Sequence, residues 1–381
     1  MEKERVDAAG DLLKSVIPRD SFRAPEVIEA FSIANGWRER HLDAIRQIRA
    51  QLAAANRALQ TGGVTAARLK RMPAIRRKLR RLSYKLSELQ DLGGCRVILP
   101  TIDDVKRFSD RLQHSDRHQL RHTDDYIRRP KKDGYRSLHL LLDHDDARFP
   151  EQQGLRIELQ VRTHLQHAWA TAVEALGLYL RVNIKGGEGS EAWRRLLMLM
   201  SCEFAESEGC APVRGAPSGG ERRSEIIELD RQIGAQAKLD NLAHGFQIID
   251  RFVFDRYAKH LLLRYDHAAK RVDVEAFTEA PDSTRVYGDI ERRLAVDSVD
   301  DEDPSSDTVL VSLGQLKDLK KAFPNYFGDV RVFRDQLGHI CRGRGVATYD
   351  LPKQALAPPR LRDMVDPAWL RRPRFDKPKG V

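Results

Sequence analysis

The sequence contains few cysteines and no long apolar segment. Its four cysteines are scattered among 381 residues and form no Cys-x-x-Cys pair. This spacing indicates neither a disulfide scaffold nor a zinc site, and it is typical of proteins from a reducing compartment. No apolar run approaches the ~20 residues that cross a bilayer, and residues 1–19 lack the apolar core of a signal peptide. We therefore expect a soluble, cytoplasmic protein with no membrane partner.

Acidic residues are outnumbered by basic ones. The chain has 66 Lys and Arg residues against 56 Asp and Glu residues, a formal net charge of +10. A basic excess favours polyanionic ligands such as nucleotides, RNA or acidic surfaces. The hydrophobic share of 41% is enough to form buried cores. A chain of this length suggests two domains.

A stretch rich in Gly, Pro and Ser at 209–220 indicates a linker. The residue patterns on both sides of this linker indicate a mixture of helices and strands, which predicts the α+β class. We expect N-terminal helices over 1–62, a first α+β domain over 63–208, a linker over 209–220, a smaller C-terminal α+β domain of unknown role over 221–350, and a Pro- and Arg-rich tail over 351–381.

The spacing of apolar residues predicts several of the elements. It indicates two helices over 25–60, with a break near Asn35-Gly36. Residues 64–89 are intensely basic, and we interpret them as helical with a solvated cationic face. A polar connector is expected over 114–124. In the C-terminal part, the pattern predicts one helix over 221–242, a hairpin over 261–277 and a helix over 314–323.

Most side chains that indicate chemistry lie between residues 129 and 174. Asp133-Gly134 predicts a tight turn, because glycine adopts the positive φ that such a turn requires. A buried strand is predicted at 137–142. Residues 156–162 alternate strictly between polar and apolar, so the polar side chains share one face. If these two strands pair, one cleft receives Tyr135, His139, Glu158, Gln160 and Arg162.

Three motifs in this region have a specific spacing. They are Gly134-Tyr135-Arg136-Ser137-Leu138-His139, Glu158-Leu159-Gln160-Val161-Arg162-Thr163, and the Trp169 helix with Glu174. Together they resemble the synthetase domain of RelA/SpoT-type alarmone synthetases, and the resemblance covers about 66–177. It implies a mixed-sheet, nucleotidyltransferase-like synthetase domain flanked by helices, over 63–208.

The metal-binding His-Asp pair of that family's hydrolase domain is not found on an early helix of this sequence. His144-Asp145 lies in a turn-like stretch, and we interpret it as a solvated loop. We therefore expect a small synthetase without a built-in hydrolase.

The resemblance implies a GTP/GDP diphosphokinase. Such an enzyme transfers the β,γ-pyrophosphate of ATP to the 3′-hydroxyl of GDP or GTP and makes (p)ppGpp. The resemblance assigns Mg²⁺ to Asp91, with Glu158 as proton acceptor and second ligand. The residues implied for the ATP phosphates are Arg68, Lys70, Lys78, Arg81 and Arg96. Those implied for the acceptor are Lys131, Tyr135 as base platform, His139, Gln160, Arg162 and His167.

Two departures from the family pattern affect the acceptor. His167 stands where the family often has an asparagine that can read the base edge, and an imidazole offers a different donor and acceptor geometry. Ala175 stands where the family has a histidine after the glutamate. An adenine acceptor therefore stays open.

Two alternatives remain beside this hypothesis. One is a toxic relative that acts on tRNA 3′ ends or on adenine nucleotides and has a neutralising antitoxin. The basic charge suits RNA and nucleotides equally. The other is an inactive nucleotide sensor or RNA-binding module, and the presence of both Asp91 and Glu158 argues against it. The oligomeric state is not indicated by the sequence.

Overall fold

The structure is a computed structural model. It describes residues 3–18, 21, 24–113, 118–145, 150–180, 182–245, 247–248, 260–266, 271–277, 286–288, 290, 306–313 and 330–347. The predicted tail over 351–381 and the predicted helix over 314–323 lie outside these residues. All described residues belong to one compact unit, Met1–Tyr349.

Two N-terminal helices pack side by side: α1 (Lys3–Lys14) and α2 (Pro25–Ala58). The predicted break in α2 at Asn35-Gly36 is wrong, since the helix is continuous there. One glycine inside a helix costs only about 1 kcal/mol, and the buried side chains on either side of it, Phe31 and Trp37, outweigh that cost. Asn35 also accepts a hydrogen bond from Arg38 (2.8 Å).

The middle of the chain alternates strands and helices. In order these are β1 (Val64–Leu69), α3 (Met72–Arg81), β2 (Gly93–Leu99), α4 (Ile102–Gln113), β3 (Gln119–Asp125), β4 (Leu138–Asp143), β5 (Arg156–Thr163) and α5 (His164–Leu180). The strands predicted at 137–142 and 156–162 are thus confirmed as β4 and β5.

Three predictions in this part are wrong. The basic stretch 64–89 begins with a buried strand, β1, and only 72–81 is α-helical. The connector over 114–124 contains β3, an edge strand whose mostly exposed polar residues give no alternating signal. His144 is fully buried rather than solvated, and its Nε2 lies 3.0 Å from Oε1 of Gln47.

The later elements are α6 (Glu191–Ser207), α7 (Gly219–Ile233), α8 (Ala235–Gly245), β6 (Gln247–Ile248), β7 (His260–Asp266), β8 (Arg271–Phe277), β9 (Ser306–Leu313) and α9 (Arg331–Cys341). The predicted hairpin is confirmed as β7–β8. The single helix predicted over 221–242 is instead two helices, because Gly234 between α7 and α8 has the left-handed φ of 61°.

The described strands form one mixed sheet in the order β3-β4-β5-β2-β1-β9-β7-β8-β6. In its centre β2 and β5 run parallel, whereas β1 and β4 run antiparallel to their neighbours. The α+β class with a mixed sheet is thus confirmed. Because β9 pairs with β1, residues on both sides of 209–220 share this sheet, and the division into separately folding domains stays a prediction.

The central strands have one apolar face and one polar face. Side chains such as Cys95, Val97, Leu159 and Val161 are buried in the same core cluster as residues of α2. Gly93 lets β2 approach α2 closely, since a Cβ there would lie 2.7 Å from Ile45 Cγ2. The polar residues that alternate with these point to the opposite face, where the candidate site lies.

Within the described part of the chain, no helix has both the length and the apolar character needed to cross a bilayer.

Candidate active site

A cavity of ≈ 370 Å³ lies on the polar face of the sheet. Its lining comes from β1, β2, β4, β5, the loop before β4, helix α5 and the turn after α5. The predicted site residues that line it are Arg68, Lys70, Asp91, Arg96, Lys131, Tyr135, His139, Glu158, Gln160 and Arg162. The cleft that the alternation pattern predicted therefore exists.

Strand register brings these side chains together. Gly94 of β2 pairs with Glu158 of β5, and Arg96 pairs with Gln160. His139 of β4 is the partner of Gln160 on the other side of β5. Paired residues of neighbouring strands point to the same face of a sheet. Residues far apart in sequence thus meet on one floor, and Gly94 leaves space above the sheet beside Glu158.

Asp91 lies at one end of the cavity between two lysines. Its Oδ2 is 2.7 Å from Lys70 Nζ and 3.0 Å from Lys78 Nζ. Burial alone would raise the pKa of Asp91, but the two ammonium groups outweigh it and hold the pKa below its usual value. Arg38 of α2 fixes this end by donating to the carbonyl oxygen of Lys70 (3.2 Å).

Glu158 belongs to a hydrogen-bonded chain across the cavity floor. Its Oε1 lies 2.9 Å from His139 Nδ1, and Gln160 Nε2 donates to its Oε2 (3.0 Å). The other ring nitrogen of His139 is 2.7 Å from the hydroxyl of Tyr135, which accepts from Arg162 (2.5 Å). His139 therefore links the carboxylate of Glu158 to the hydroxyl of Tyr135 through its two ring nitrogens.

The pKa of Glu158 is lowered to about 2. Burial opposes this shift, but the hydrogen bond and charge of His139 and the bond from Gln160 favour the ionised form. Glu158 is therefore a carboxylate at neutral pH, able to orient a hydroxyl group or to hold a cation.

Arginines occupy the other end of the cavity. Arg96 and Arg162 are buried there. Burial, followed by the nearby charges of Arg162 and Arg68, lowers the pKa of Arg96, and Glu174 of α5 opposes that effect. Glu174 also binds Lys185, and these cations keep its pKa well below the usual value despite burial. This end of the cavity is suited to phosphate groups.

Sequence reasoning missed Lys185 as a cavity residue. It lies in the short turn after α5, 11 positions beyond Glu174, and no periodic pattern connects the two. The sequence motif includes Glu174 but predicts no role for it.

An aromatic group stands beside the cavity. The ring of Tyr135 lies 6.0 Å from that of Tyr126 and 5.7 Å from that of His139. Lys131 Nζ lies 4.6 Å from the Tyr126 ring centre and 5.2 Å from that of Tyr135. Tyr135 is half-buried. It thus combines a cavity position with two nearby cations, the other being Arg162, whose Cζ is 5.2 Å from the ring centre.

Three predicted site residues do not line the cavity. Lys78 reaches it only through Asp91. Arg81 is exposed on α3, and His167 is buried on α5. The roles assigned to these three stay predictions.

The residues present fit a divalent cation. No cluster of three or more His, Cys, Asp or Glu ligands occurs within the described ranges. However, Mg²⁺ typically takes only one or two carboxylates, with phosphate oxygens and water as the other ligands. Asp91 and Glu158 supply two carboxylates in the same cavity. Oδ1 of Asp91 is buried and makes no hydrogen bond in the described structure.

Residues 67–182 match the family model described as the region found in RelA / SpoT proteins. The resemblance is thereby confirmed for this segment. The matched segment includes both carboxylates and all the predicted residues that line the cavity, whereas Lys185 lies beyond its end.

Two curated relatives from Bacillus subtilis match the same part of the chain. GTP pyrophosphokinase YjbM is 30% identical over 120 residues, which are 31% of this chain and 57% of that protein. GTP pyrophosphokinase YwaC is 28% identical over 113 residues, 28% of this chain and 54% of that protein. The chain thus spans about half the length of these relatives.

A solved structure also matches part of the chain. The small alarmone synthetase 1 from Bacillus subtilis, bound to its product pppGpp, is 22% identical with a TM-score of 0.40. The comparison covers 44% of this chain and 88% of that one.

Proposed function

We propose that the chain is a nucleotide pyrophosphokinase that transfers the β,γ-pyrophosphate of ATP to the 3′-hydroxyl of GDP or GTP, making (p)ppGpp. The observation that carries this proposal is the meeting of Asp91 and Glu158 in one cation-rich cavity. Both residues lie in the segment that matches the RelA/SpoT region, and relatives named GTP pyrophosphokinase match there too.

The donor binds among the basic residues of the cavity. Lys70 stands at the carboxylate end, and Arg68 and Arg96 extend the cationic surface along the sheet. Several cations on one face offset the charge of a triphosphate. Asp91 and Glu158 would hold a Mg²⁺ ion, which would supply positive charge to offset that of the bound triphosphate.

The acceptor binds on the side of β4 and the preceding loop. The ring of Tyr135 is the platform for the base, and Lys131 and Arg162 are the nearest cations. His139 contacts both the tyrosine hydroxyl and Glu158, so the ring and the carboxylate are close neighbours. A nucleotide stacked on Tyr135 therefore has its 3′-hydroxyl near Glu158.

In the reaction, the 3′-oxygen forms a bond to the β phosphorus of ATP. The bond from that phosphorus to the α,β-bridging oxygen breaks, AMP leaves, and Glu158 takes the hydroxyl proton. Glu158 is ionised at neutral pH and can therefore accept this proton as it leaves the oxygen. Positioning and charge neutralisation supply most of the rate.

An experiment identifies the acceptor that receives the pyrophosphate group. His167, where the resemblance expects a base-reading side chain, is buried on α5 away from the cavity lining. The protein is incubated with γ-labelled ATP and either GDP, GTP, ADP or deacylated tRNA. The proposal predicts labelled guanosine nucleotide. Label transferred to ADP or to tRNA would identify one of the alternative acceptors. No transfer to any of the four acceptors would reject the proposed activity.

A further inference from the structure

The loop between β3 and β4, residues 126–137, carries two candidate acceptor residues, Lys131 and Tyr135. One side of this loop faces the cavity, and its backbone rests on α6. At Gly134 the φ angle is +95°, and a Cβ there would lie 2.8 Å from Ser201 Cβ and 3.2 Å from Met198 Cα. Helix α6 therefore contacts the backbone at the residue directly before the tyrosine.

Ser201 connects the two elements through hydrogen bonds. It is buried, its hydroxyl donates to the carbonyl oxygen of Gly134, and it accepts from Nε of Arg136 (3.3 Å). A hydroxyl group has one donor and two acceptor sites, so both bonds form together. The carbonyl oxygen of Gly134 belongs to the peptide group that leads into Tyr135, and its direction affects the position of the tyrosine.

Arg136 completes the anchor from the other side. Its guanidinium is buried and donates to the carbonyl oxygens of Ile127 (3.0 Å) and Ala211 (2.7 Å). One side chain thus joins the beginning of the loop, helix α6 through Ser201, and the segment that follows α6. Since the matched RelA/SpoT region ends at 182, Ser201 and Ala211 lie outside it.

We propose that Ser201 is a positioning residue for the acceptor nucleotide. It holds the loop backbone at Gly134 so that Tyr135 and Lys131 face the cavity. This inference rests on the proposed function for its kinetic consequence, while the anchor itself is testable without catalysis. It extends the functional site from the matched segment into α6.

The test compares Ser201→Ala with Ser207→Ala. Ser207 lies on the same helix, is exposed, and donates to the Phe204 carbonyl of its own helix (2.7 Å). In ligand-free protein, Ser201→Ala is expected to accelerate amide hydrogen exchange over 131–135, while Ser207→Ala leaves it unchanged. The exchange measurement does not depend on which nucleotide the protein uses.

The kinetic measurement tests the functional consequence. Ser201→Ala is expected to raise the KM of the acceptor by roughly five- to tenfold, the effect of one lost hydrogen bond, with the KM of ATP unchanged. A purely structural role would change both values together. If Ser201→Ala fails to fold, Ser201→Cys replaces it, because the thiol is similar in size and a weaker donor.

Unchanged exchange in Ser201→Ala, or equal changes in both KM values, would overturn the inference. Absence of any transfer by the wild-type protein would reject the proposed function instead, and the exchange measurement would still decide whether Ser201 anchors the loop.

Discussion

The Nδ1 atom of His139 lies 2.9 Å from Oε1 of Glu158. The contact connects a residue of the proposed acceptor site to the carboxylate that is proposed to accept the proton. It favours the ionised carboxylate and, with Gln160, keeps the pKa of Glu158 at about 2 against the effect of burial. The protonation state of Glu158 therefore depends on its neighbour.

His139→Ala should raise the pKa of Glu158, because burial then acts with less opposition. In the wild type the lowered pKa keeps the carboxylate ionised down to well below 4.5, its ordinary value. In the variant, protonation as pH falls should begin at higher pH. Carboxyl ¹³C NMR of labelled glutamate measures this directly. His122→Ala, an exposed histidine on β3, is the control, and identical titration in both variants would contradict the role of His139.

Asp91→Asn should remove the dependence of ATP binding on magnesium. The carboxylate supplies one of the two charged oxygen sites for the cation, and its loss should weaken Mg²⁺ binding by roughly tenfold or more. Thermal shifts are measured with ATP plus Mg²⁺ and with ATP plus EDTA. The wild type should gain stability from the metal and the variant should not. Asp103→Asn, exposed and paired with Lys106, should behave as the wild type; an undiminished metal effect in Asp91→Asn would reject the assignment.

Tyr135→Ala should weaken acceptor binding more than donor binding. Loss of a stacking platform costs about 1–3 kcal/mol, so the acceptor KM should rise between roughly 5- and 150-fold. Tyr135→Phe keeps the ring and loses only the hydroxyl contacts with His139 and Arg162, so its effect should be smaller. Steady-state kinetics with each substrate varied separately provides the measurement. Equal effects on ATP and acceptor would exclude the platform role, and exposed Tyr84→Ala is the matched control.

Arg222→Ala should destabilise the fold. Its buried guanidinium binds Glu203 (2.7 Å), a carboxylate that is 1% exposed, and its removal leaves a buried charge with less compensation. Because Arg223 still binds Glu203 (2.9 Å), we expect a loss of about 3 kcal/mol, the lower end for a broken buried pair.

Urea unfolding measures this loss against Arg231→Ala on the same helix. Arg231 is 71% exposed and pairs with Glu228, so its removal should cost at most about 1 kcal/mol. Equal midpoints for the two variants would show that the buried pair does not stabilise the protein.

Much of the site could be predicted from the sequence, because alternation in β5 fixes which side chains share a face. Of the polar positions in 156–162, Glu158, Gln160 and Arg162 line the cavity, and the resemblance located Asp91 and the arginines. Strand β1 was missed because its single basic residue, Arg68, resembles the start of the basic helix that follows. Strand β3 has no buried face to produce a pattern.

The remaining parts depend on tertiary contacts. Lys185 enters the cavity only because the turn after α5 folds back onto Glu174. Ser201 is one small polar residue among the buried side chains of α6, and nothing in the sequence indicates that Gly134 packs against it. The pairing of β9 with β1 joins segments more than 200 residues apart. No local pattern specifies such contacts.

The most direct test of the account is pyrophosphate transfer by Glu158→Gln. The substitution preserves size while it removes the charge and replaces one acceptor oxygen by an NH₂ donor. Glu228→Gln, at an exposed glutamate on α7, is the control. Transfer of γ-label from ATP to the acceptor should fall by roughly 10²–10⁴-fold in a variant that melts like the wild type. A well-folded Glu158→Gln protein that transfers label at the wild-type rate would contradict the central claim.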